Sequence, residues 1–553
     1  MDISIYEVRD CMENLKKYFS SESFFWATFF ILMIIKYGYY GFSYYPILDD
    51  WIQYGGFSLY PNIFNDVLIN IGTYMTRPLA ALSDPYIWAQ LWGRMGIAFF
   101  IITMMHGASA YFLYKVLEYQ GLKVGMMFLV VYGLLPLGTE STYWISASSR
   151  LVVSVFWMAL ALYMLALYVK TFKRRYIFIY TITHLLSLGY YEQVVALSCF
   201  SAVVLSVINW RRIVHKWIVI VPFVNFGIIA WYYNSFGNSG NVAARGEMVQ
   251  QDYLAHFGKV LENIAEIWGP VQRALMANGF VRGWEILIED SSYLYLLCMV
   301  LASVTAGYFA YRKKQQEERD VSRLIIMFVI GFLLFWVPFA INFALETVWI
   351  CLRNVFTSFI GLALMVTALV NLMLRGRIGS IARSVLIGCV AFIFLVVNIS
   401  EITDYKNAGE IDAQIADNII SAVNDPAFFS GDKSAVVFNT ESTYIEQNIY
   451  YKDHIHNVTS SDWALTGAVR ARARNLNIRG FIMNMWPGSG IPIRDQHWEE
   501  AIILGIQDDL SVVHLRVEQK MEDEMYLYTV ENVLFGIARK DEARGRYFYE
   551  SNQ

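Results

Sequence analysis

The sequence is poor in charged residues. Asp, Glu, Lys and Arg make up only 16% of its 553 residues, whereas 56% are hydrophobic. Soluble domains carry about 25% charged residues, so this composition excludes an ordinary water-soluble chain. The formal net charge of -4 is too small to favour a nucleic-acid partner. The composition predicts a polytopic membrane protein with a water-exposed portion.

Cysteine is scarce as well. The chain has five cysteines and none follows Cys389, so we expect the C-terminal region to fold without disulfides. No cysteine spacing resembles a zinc site. The N-terminus lacks the short apolar core and small-residue cleavage site of a signal peptide, so we expect the first apolar stretch to be retained.

Long apolar stretches dominate what is present. A helix needs about 20 apolar residues to cross the hydrocarbon of a bilayer. On that basis we predict about 11 transmembrane helices, at 24–43, 86–114, 122–139, 151–169, 176–191, 194–209, 217–233, 291–311, 324–343, 354–374 and 384–402.

Lysine and arginine concentrate in one set of connecting loops, around 170–175, 211–216, 312–323 and 375–383. The positive-inside rule makes that side cytoplasmic. We therefore predict a multi-pass protein of the plasma (cell) membrane with a cytoplasmic N-terminus and an extracytoplasmic C-terminus.

Two domains follow from this topology. Residues 1–402 form a transmembrane module with two external loops, 44–85 and 234–290. Residues 403–553 form an external α/β domain, because 435–438, 481–483 and 510–517 resemble strands between helical segments. In the first external loop, apolar residues recur at helical spacing over 63–71, which predicts an amphipathic helix on the membrane surface.

Adjacent carboxylates, Asp49 and Asp50, stand just after the first apolar stretch and before Trp51. This places a paired acid on the side of the bilayer that has few cations, where a carboxylate can act as a general base toward a hydroxyl. The alternatives are that Asp50 caps the surface helix and that Asp49 is simply solvated.

The short external loops carry few cations, and these are arginines: Arg77, Arg150 and Arg353. Glu192 lies at the same predicted depth. Arginine is suited to bidentate phosphate binding, and a phosphate carried on a lipid would reach this depth. The alternatives are an interfacial anchor for Arg77, structural ion pairs of Arg150 and Arg353 with Glu140 and Glu346, and a salt bridge for Glu192.

This layout resembles the GT-C superfamily of membrane glycosyltransferases. The likeness covers the many spans, the acidic motif Asp49-Asp50, the surface helix after it and the external C-terminal domain. It implies a sugar donor attached to polyprenyl phosphate, a cell-surface glycan or lipid acceptor, and an inverting, single-displacement reaction. The chain lacks the WWD-type signature of the oligosaccharyltransferases, because Asp49-Asp50-Trp51 has the reverse order.

Such a transfer assigns roles to the residues above. Asp50 is the hypothesised base and Asp49 its partner. The three arginines are the hypothesised phosphate ligands, and Glu192 orients the acceptor or an arginine. Trp51, Trp144 and Tyr191 are hypothesised to stack on a sugar.

A metal is a further hypothesis. Asp49 and Asp50 could hold Mg²⁺ or Mn²⁺ through carboxylate oxygens, although the sequence shows no complete set of ligands. The pattern Asp453-His-Ile-His456 is more typical of an incidental pair of histidines than of a metal site.

Two other functions remain open. A Wzy-like polymerase or O-antigen ligase would depend on Arg245, Arg273 and Arg282 in the second external loop rather than on the aspartates. A lipid or sugar transporter would place polar residues near the bilayer midplane, often with broken helices. A membrane anchor for a binding domain would not need so many spans.

Overall fold

The computed structural model describes residues 22–61, 77–236, 252–312, 320–345, 350–439, 457–483, 490–491, 501–507, 509–520, 525–530, 533–541 and 546–551. It divides the chain into two compact units. Of the described residues, unit 1 contains those up to Phe42, 77 to Ala80, and those within Gly96–Ile402. Unit 2 contains Ser43 to 61, Ala81–Met95 and the rest from Thr403 onward.

The first external loop, 44–85, is divided between the two units, and 77 to Ala80 belong to unit 1. Its described parts before residue 62 and after residue 80 group with the C-terminal residues in unit 2. The predicted surface helix at 63–71 lies outside the described residues, as do Arg245, Glu346, His454 and His456.

The described chain is mainly helical up to residue 422. In chain order its α-helices are α1 (Glu22–Tyr37), α2 (Pro78–Ser83), α3 (Met95–Tyr119), α4 (Met126–Leu134), α5 (Thr139–Thr142), α6 (Ile145–Thr171), α7 (Arg174–Leu188), α8 (Glu192–Ile208), α9 (Val221–Phe236), α10 (Tyr253–Glu266), α11 (Gln272–Glu289), α12 (Tyr293–Arg312), α13 (Val321–Trp336), α14 (Ala340–Ala344), α15 (Leu352–Val355), α16 (Phe359–Met373) and α17 (Gly376–Ala422).

Seven helical segments among the described residues are long and apolar enough to cross a membrane: Met95–Tyr119, Ile145–Thr171, Lys216–Ser235, Tyr293–Arg312, Val321–Ala344, Leu352–Met373 and Gly376–Ala422. This is consistent with a polytopic membrane protein, but the prediction of 11 spans is wrong. The four other predicted spans are helical yet shorter. α1, α7 and α8 have 16, 15 and 17 residues, and the span predicted at 122–139 is interrupted after Leu134 by Pro136.

Glycines let two of the apolar helices of unit 1 approach closely. A Cβ on Gly361 of α16 would lie 2.2 Å from the backbone nitrogen of Phe335 and 2.4 Å from the carbonyl oxygen of Gly331, both on α13. Larger side chains would force these backbones apart, so glycine here fits the small-residue interfaces of membrane helices.

Helix α17 contributes residues to both units. It has 47 residues and is about 70 Å long at 1.5 Å per residue. Its apolar part ends near Ile402, where unit 1 ends. From Thr403 onward it belongs to unit 2 and carries charged residues such as Lys406, Glu410 and Asp412.

Unit 2 contains two sheets and completes the helices with α18 (Pro426–Ser430) and α19 (Asp462–Ala473). The strands are β1 (Ser434–Asn439), β2 (Arg479–Met483), β3 (Gly490–Ile491), β4 (Ala501–Ile506), β5 (Val512–His514), β6 (Arg516–Lys520), β7 (Met525–Val530), β8 (Val533–Asp541) and β9 (Arg546–Ser551). The first sheet has the order β2-β1-β4-β5, with β1 parallel to both β2 and β4, and the second is antiparallel with the order β3-β9-β8-β7-β6. The predicted strands at 435–438 and 481–483 are confirmed, and 510–517 covers β5 and the start of β6.

Candidate functional site

Arg77 is held in unit 1 by the turn between α7 and α8. The backbone N–H of Leu79 donates to the carbonyl of Gly189 at 3.0 Å. A Cβ on Gly189 would lie 2.7 Å from Leu79 Cγ, so only glycine leaves room for that side chain. Arg77 Nε then donates to Glu192 Oε1 at 2.8 Å, and its guanidinium lies 4.4 Å from the centre of the Tyr191 ring.

Arg353 is fixed by a second glutamate. Glu140 in α5 accepts a hydrogen bond from the Arg353 backbone N–H at 3.1 Å, and its carboxylate lies 3.9 Å from the Arg353 side-chain nitrogen Nε. The guanidinium lies 5.7 Å from the centre of the Trp144 ring. The Ser141 hydroxyl donates to the Arg353 carbonyl at 2.6 Å. These contacts hold the arginine at the start of the segment Leu352–Met373.

Arg150 joins these two pairs into one group. It is only 6% exposed and lies in the first turns of α6. It interacts electrostatically with Arg77 and Glu192, and Arg353 acts on Tyr191 in the same way. We call Arg77, Glu140, Arg150, Glu192 and Arg353 the arginine group. Its three arginines and two glutamates leave one formal positive charge.

Helix termini strengthen that charge. Arg150, Glu192 and Arg353 each lie in the first two turns of an apolar helical segment, at Ile145–Thr171, Glu192–Ile208 and Leu352–Met373. The N-terminal end of a helix carries a partial positive charge and exposes backbone N–H groups. The arrangement is chemically suited to bind an anion, with arginine forks as the specific ligands.

Three buried polar side chains are sequence neighbours of the arginine group. Trp144 Nε1, Ser148 Oγ and Gln193 Oε1 have no hydrogen-bond partner within the described part of the chain. Buried polar groups are normally paired, so each of them can bind a water molecule or a polar atom of a ligand.

The arginine group and the basic loops lie at opposite ends of α6. Arg150 is near its start and Lys170 near its end, about 30 Å apart at 1.5 Å per residue. That length equals the hydrocarbon thickness of a bilayer. The group is therefore at the end of this helix that is remote from the lysine and arginine clusters of 170–175.

The aspartates belong to unit 2. Asp50 is fully buried, and its carboxylate accepts hydrogen bonds from the Tyr44 hydroxyl and from the Ile47 backbone N–H, the latter at 3.2 Å. The backbone N–H of Asp50 donates back to the Ile47 carbonyl at 2.9 Å, which closes a tight turn. Burial keeps this carboxylate from contacting an acceptor in this structure.

Asp49 is partly exposed. Its Oδ1 accepts a hydrogen bond from the indole N–H of Trp463 at 2.8 Å. Trp463 lies on α19 and is 47% exposed, so an apolar ring and a carboxylate stand side by side at the surface of unit 2. An aromatic face next to a hydrogen-bonding carboxylate can bind a sugar ring.

Trp51 does not have the open ring face that stacking on a sugar requires. It is 2% exposed and lies in the core of unit 2, where its ring packs edge-on against Trp92 at 5.5 Å. Ile52, which follows Trp51, packs directly against α19, because a Cβ on Gly467 of that helix would lie 2.6 Å from the Ile52 backbone nitrogen. Trp144 and Tyr191 are buried in unit 1 beneath Arg353 and Arg77.

A second buried acid, Asp412 on α17, lies beside Asp50. Burial raises the pKa of Asp412 to about 8, opposed by the Val458 backbone N–H, the Trp51 side chain and the Leu48 backbone, and assisted by the charge of Asp50. Its Oδ1 accepts the Val458 N–H at 3.0 Å. Sequence reasoning missed both Asp412 and Trp463, since neither lies in a recognisable motif.

The aspartates do not make a metal site with the side chains the structure describes. Among those, no group of three or more His, Cys, Asp and Glu residues is placed to hold a metal ion. One oxygen of each aspartate already accepts hydrogen bonds, Asp50 from Tyr44 and Ile47 and Asp49 from Trp463. The structure gives the two aspartates no third ligand among the described side chains, and binding of Mg²⁺ or Mn²⁺ stays a prediction.

Comparison with known proteins gives no family. No protein-family model matches the chain, and no curated protein matches it.

Proposed function

We propose that this protein is an integral-membrane glycosyltransferase that moves a sugar from a polyprenyl-phosphate donor to a cell-surface glycan or lipid acceptor. The observation that carries the proposal is the arginine group of unit 1. Its arginines, buried rings and helix N-termini form a positively charged cluster at the ends of apolar helices. A phosphate attached to a membrane lipid has the charge and the depth to bind there.

In this proposal the arginine group stabilises the departing phosphate. Negative charge grows on the phosphate as the bond to the sugar breaks, and fixed donors aimed at that charge lower the barrier. Glu140 and Glu192 hold Arg353 and Arg77 in place before the donor binds. Less reorganisation of the arginines is then needed during the reaction.

Asp49 takes the proton of the acceptor hydroxyl. The sequence favours Asp50 for this role, but the partly exposed carboxylate of Asp49 is the one that an acceptor can reach. Asp50 holds the turn from within, through Tyr44 and Ile47. The oxygen freed of its proton attacks the anomeric carbon, the bond from that carbon to the phosphate oxygen breaks, and the phosphate leaves with the electron pair. This single displacement inverts the anomeric centre.

We further propose that the protein lies in the plasma membrane with a cytoplasmic N-terminus, an orientation that the concentration of lysine and arginine in one set of loops supports. On this topology the arginine group faces the extracytoplasmic side. The donor and acceptor are then a lipid-linked sugar and a surface polymer or lipid on that side.

The direct test is transfer by the purified chain in nanodiscs supplied with polyprenyl-phosphate sugars and an extract of surface glycans and lipids. Wild type is compared with Arg150→Gln and, as a control, with Arg175→Gln, which changes an exposed arginine near the opposite end of the bundle helices. We expect transfer by wild type and the control and a loss of at least 100-fold in Arg150→Gln. Equal transfer by all three proteins would overturn the proposal.

A specific observation favours a lipid or sugar transporter as the second candidate. Helix α4 stops at Leu134, and its last carbonyls accept hydrogen bonds from Lys36 Nζ at 3.2 Å and from the Asn398 amide at 2.9 Å. His106, which interacts electrostatically with Lys36, is buried with neither ring nitrogen paired in the described chain. A broken helix with buried titratable side chains is typical of transport sites.

A substitution of Lys36 distinguishes the transporter from the glycosyltransferase. Replacing it by Met removes the buried cation and should abolish a proton-coupled transport activity, measured as uptake into proteoliposomes. A glycosyltransferase should lose transfer only in proportion to lost stability. Uptake by wild type without any transfer product would favour the transporter.

A further inference from the structure

The turn that carries Asp49 and Asp50 is strained. Leu48 has φ of +43°, a left-handed conformation that is unfavourable for a residue other than glycine. Its neighbours close the turn with hydrogen bonds from Asp50 N to Ile47 O at 2.9 Å and from Trp51 N to Leu48 O at 3.3 Å. Such a conformation persists only where the surroundings hold it.

Helix α17 supplies part of those surroundings. A Cβ on Gly409 would lie 2.8 Å from Tyr45 Cβ and 3.0 Å from the Pro46 carbonyl, so the chain approaching the turn lies directly on the helix backbone. Asp412 is three residues further along, which puts it on the same helix face. Its carboxyl is fully buried, and the Leu48 backbone and the Trp51 side chain are near enough to affect its pKa, although Asp412 Oδ2 and Trp51 Nε1 make no hydrogen bond within the described part of the chain.

Asp412 also ties this turn to a distant part of unit 2. Its Oδ1 accepts the Val458 N–H at 3.0 Å, at the start of the short segment that leads into α19. That helix presents Trp463, whose indole holds Asp49. One buried carboxyl therefore contacts both the turn and the segment before the helix that orients Asp49.

We propose that Asp412 is the positioning residue of the Asp49–Asp50 turn, fixing the direction in which Asp49 faces the acceptor. The role of Asp49 rests on the proposed glycosyl transfer. The contacts by which Asp412 holds the turn, which we call the clamp, are a property of unit 2 alone. Asp412 acts through the turn and not on the substrate. Its loss should lower kcat while leaving the affinity for the lipid-phosphate donor unchanged.

Hydrogen exchange of the full-length protein in nanodiscs tests the clamp without any assay of activity. The variants are Asp412→Leu, which removes both oxygens and keeps the branch at Cγ, and Asp412→Asn, which keeps an acceptor for Val458. Glu410→Gln is the control, since it changes an exposed carboxylate on the same helix. We expect exchange in the peptide 44–61 to rise at least tenfold in Asp412→Leu, less in Asp412→Asn, and not in the control.

The peptide 462–473 reports whether unit 2 remains folded. If exchange rises in both peptides of Asp412→Leu, unit 2 has lost its fold and Asp412→Asn decides the test. Faster exchange of Asp412→Asn in 44–61 alone supports the clamp. Wild-type exchange in 44–61 for Asp412→Asn, or for a folded Asp412→Leu, overturns it. In the transfer assay, an unchanged donor Kd with a tenfold or larger fall in kcat supports positioning. If wild type transfers no sugar but the exchange pattern holds, only the proposed function fails.

Discussion

The indole N–H of Trp463 donates a hydrogen bond to Asp49 Oδ1 at 2.8 Å across 414 residues of sequence. The contact makes α19 a direct support of the aspartate pair. It also leaves the second oxygen of Asp49 without a protein partner among the described residues. In the proposed reaction, Trp463 orients the carboxylate and that second oxygen receives the proton.

Exchanging each aspartate for asparagine should separate the two acids. Asp49→Asn removes the proposed base and should lower the transfer rate at least 100-fold, within the range typical of general-base catalysis. Asp50→Asn retains an acceptor for Tyr44 and Ile47, so we expect a loss of less than tenfold. Asp432→Asn, an exposed acid of unit 2, is the control. Full transfer by Asp49→Asn would remove the assigned base.

Trp463→Phe keeps an aromatic ring and deletes the N–H donor. A hydrogen bond to a charged group contributes about 1.5–3 kcal/mol, so we expect kcat to fall about 10- to 100-fold while the acceptor KM changes little. Trp463→Ala removes the ring too and should also raise the acceptor KM. Trp217→Phe, an exposed tryptophan of unit 1, should behave like wild type. A normal KM in Trp463→Ala would argue against sugar stacking on this ring.

Substitutions of Arg77 and of Glu192, which form a salt bridge, should have opposite effects on the binding of polyprenyl phosphate. Arg77→Gln removes a phosphate ligand and should weaken binding of polyprenyl phosphate about 10- to 100-fold. Glu192→Gln keeps an oxygen that can accept from Arg77 Nε but removes the negative charge that competes with phosphate, so it should strengthen binding severalfold. Titration of the lipid phosphate by calorimetry measures both, with Arg175→Gln as the control. Weaker binding in Glu192→Gln would mean that this carboxylate positions Arg77 more than it competes with phosphate.

Gly189→Ala tests how Arg77 is held. The added methyl would lie 2.7 Å from Leu79 Cγ and should displace the segment that carries Arg77. Overpacking of this kind costs typically 1–3 kcal/mol, so we expect weaker binding of lipid phosphate and a lower melting temperature.

The double variant Leu79→Ala/Gly189→Ala returns the space and should recover most of the binding. Equal binding by Gly189→Ala and wild type would show that Arg77 does not depend on this turn. Failure of the double variant to recover would mean that the packing of Leu79 is itself needed.

Much of the arginine group could be predicted from the sequence. Arg77, Arg150, Arg353 and Glu192 were grouped because they share one predicted depth, and the structure brings them together with Tyr191. Depth along an apolar helix follows directly from sequence position, because each residue adds 1.5 Å. Residues that share a depth in the membrane can therefore be predicted from the hydropathy of the sequence.

The surroundings of the aspartates could not be read in that way. Trp463 and Asp412 reach the turn only because α19 and the end of α17 pack around Trp51. No local sequence pattern predicts such long-range contacts. The count of spans was wrong for a related reason. Hydropathy reports apolar composition, but it does not reveal that a helix stops at Leu134.

The buried carboxyl of Asp412 makes a prediction about pH. Its pKa of about 8 in the folded protein lies above the ordinary value of 3.8, so the folded state binds the proton more tightly than the unfolded state. The resulting stabilisation is complete below about pH 4 and is lost as the pH rises through 8. Above pH 8 the carboxylate is charged beside Asp50 in a site that excludes water, and the turn at 47–50 should loosen.

Protection factors of the peptide 44–61, corrected for the intrinsic pH dependence of exchange, measure this effect between pH 6 and pH 9. In wild type we expect protection to fall over that range, and in Asp412→Asn, which has no titrating group at this position, the decline should be much smaller. Glu410→Gln should follow wild type, because Glu410 is exposed and pairs only with Lys406 in the described chain. Equal slopes in wild type and Asp412→Asn would show that the proton on Asp412 does not control the turn, leaving hydrogen bonding and packing as the basis of the clamp.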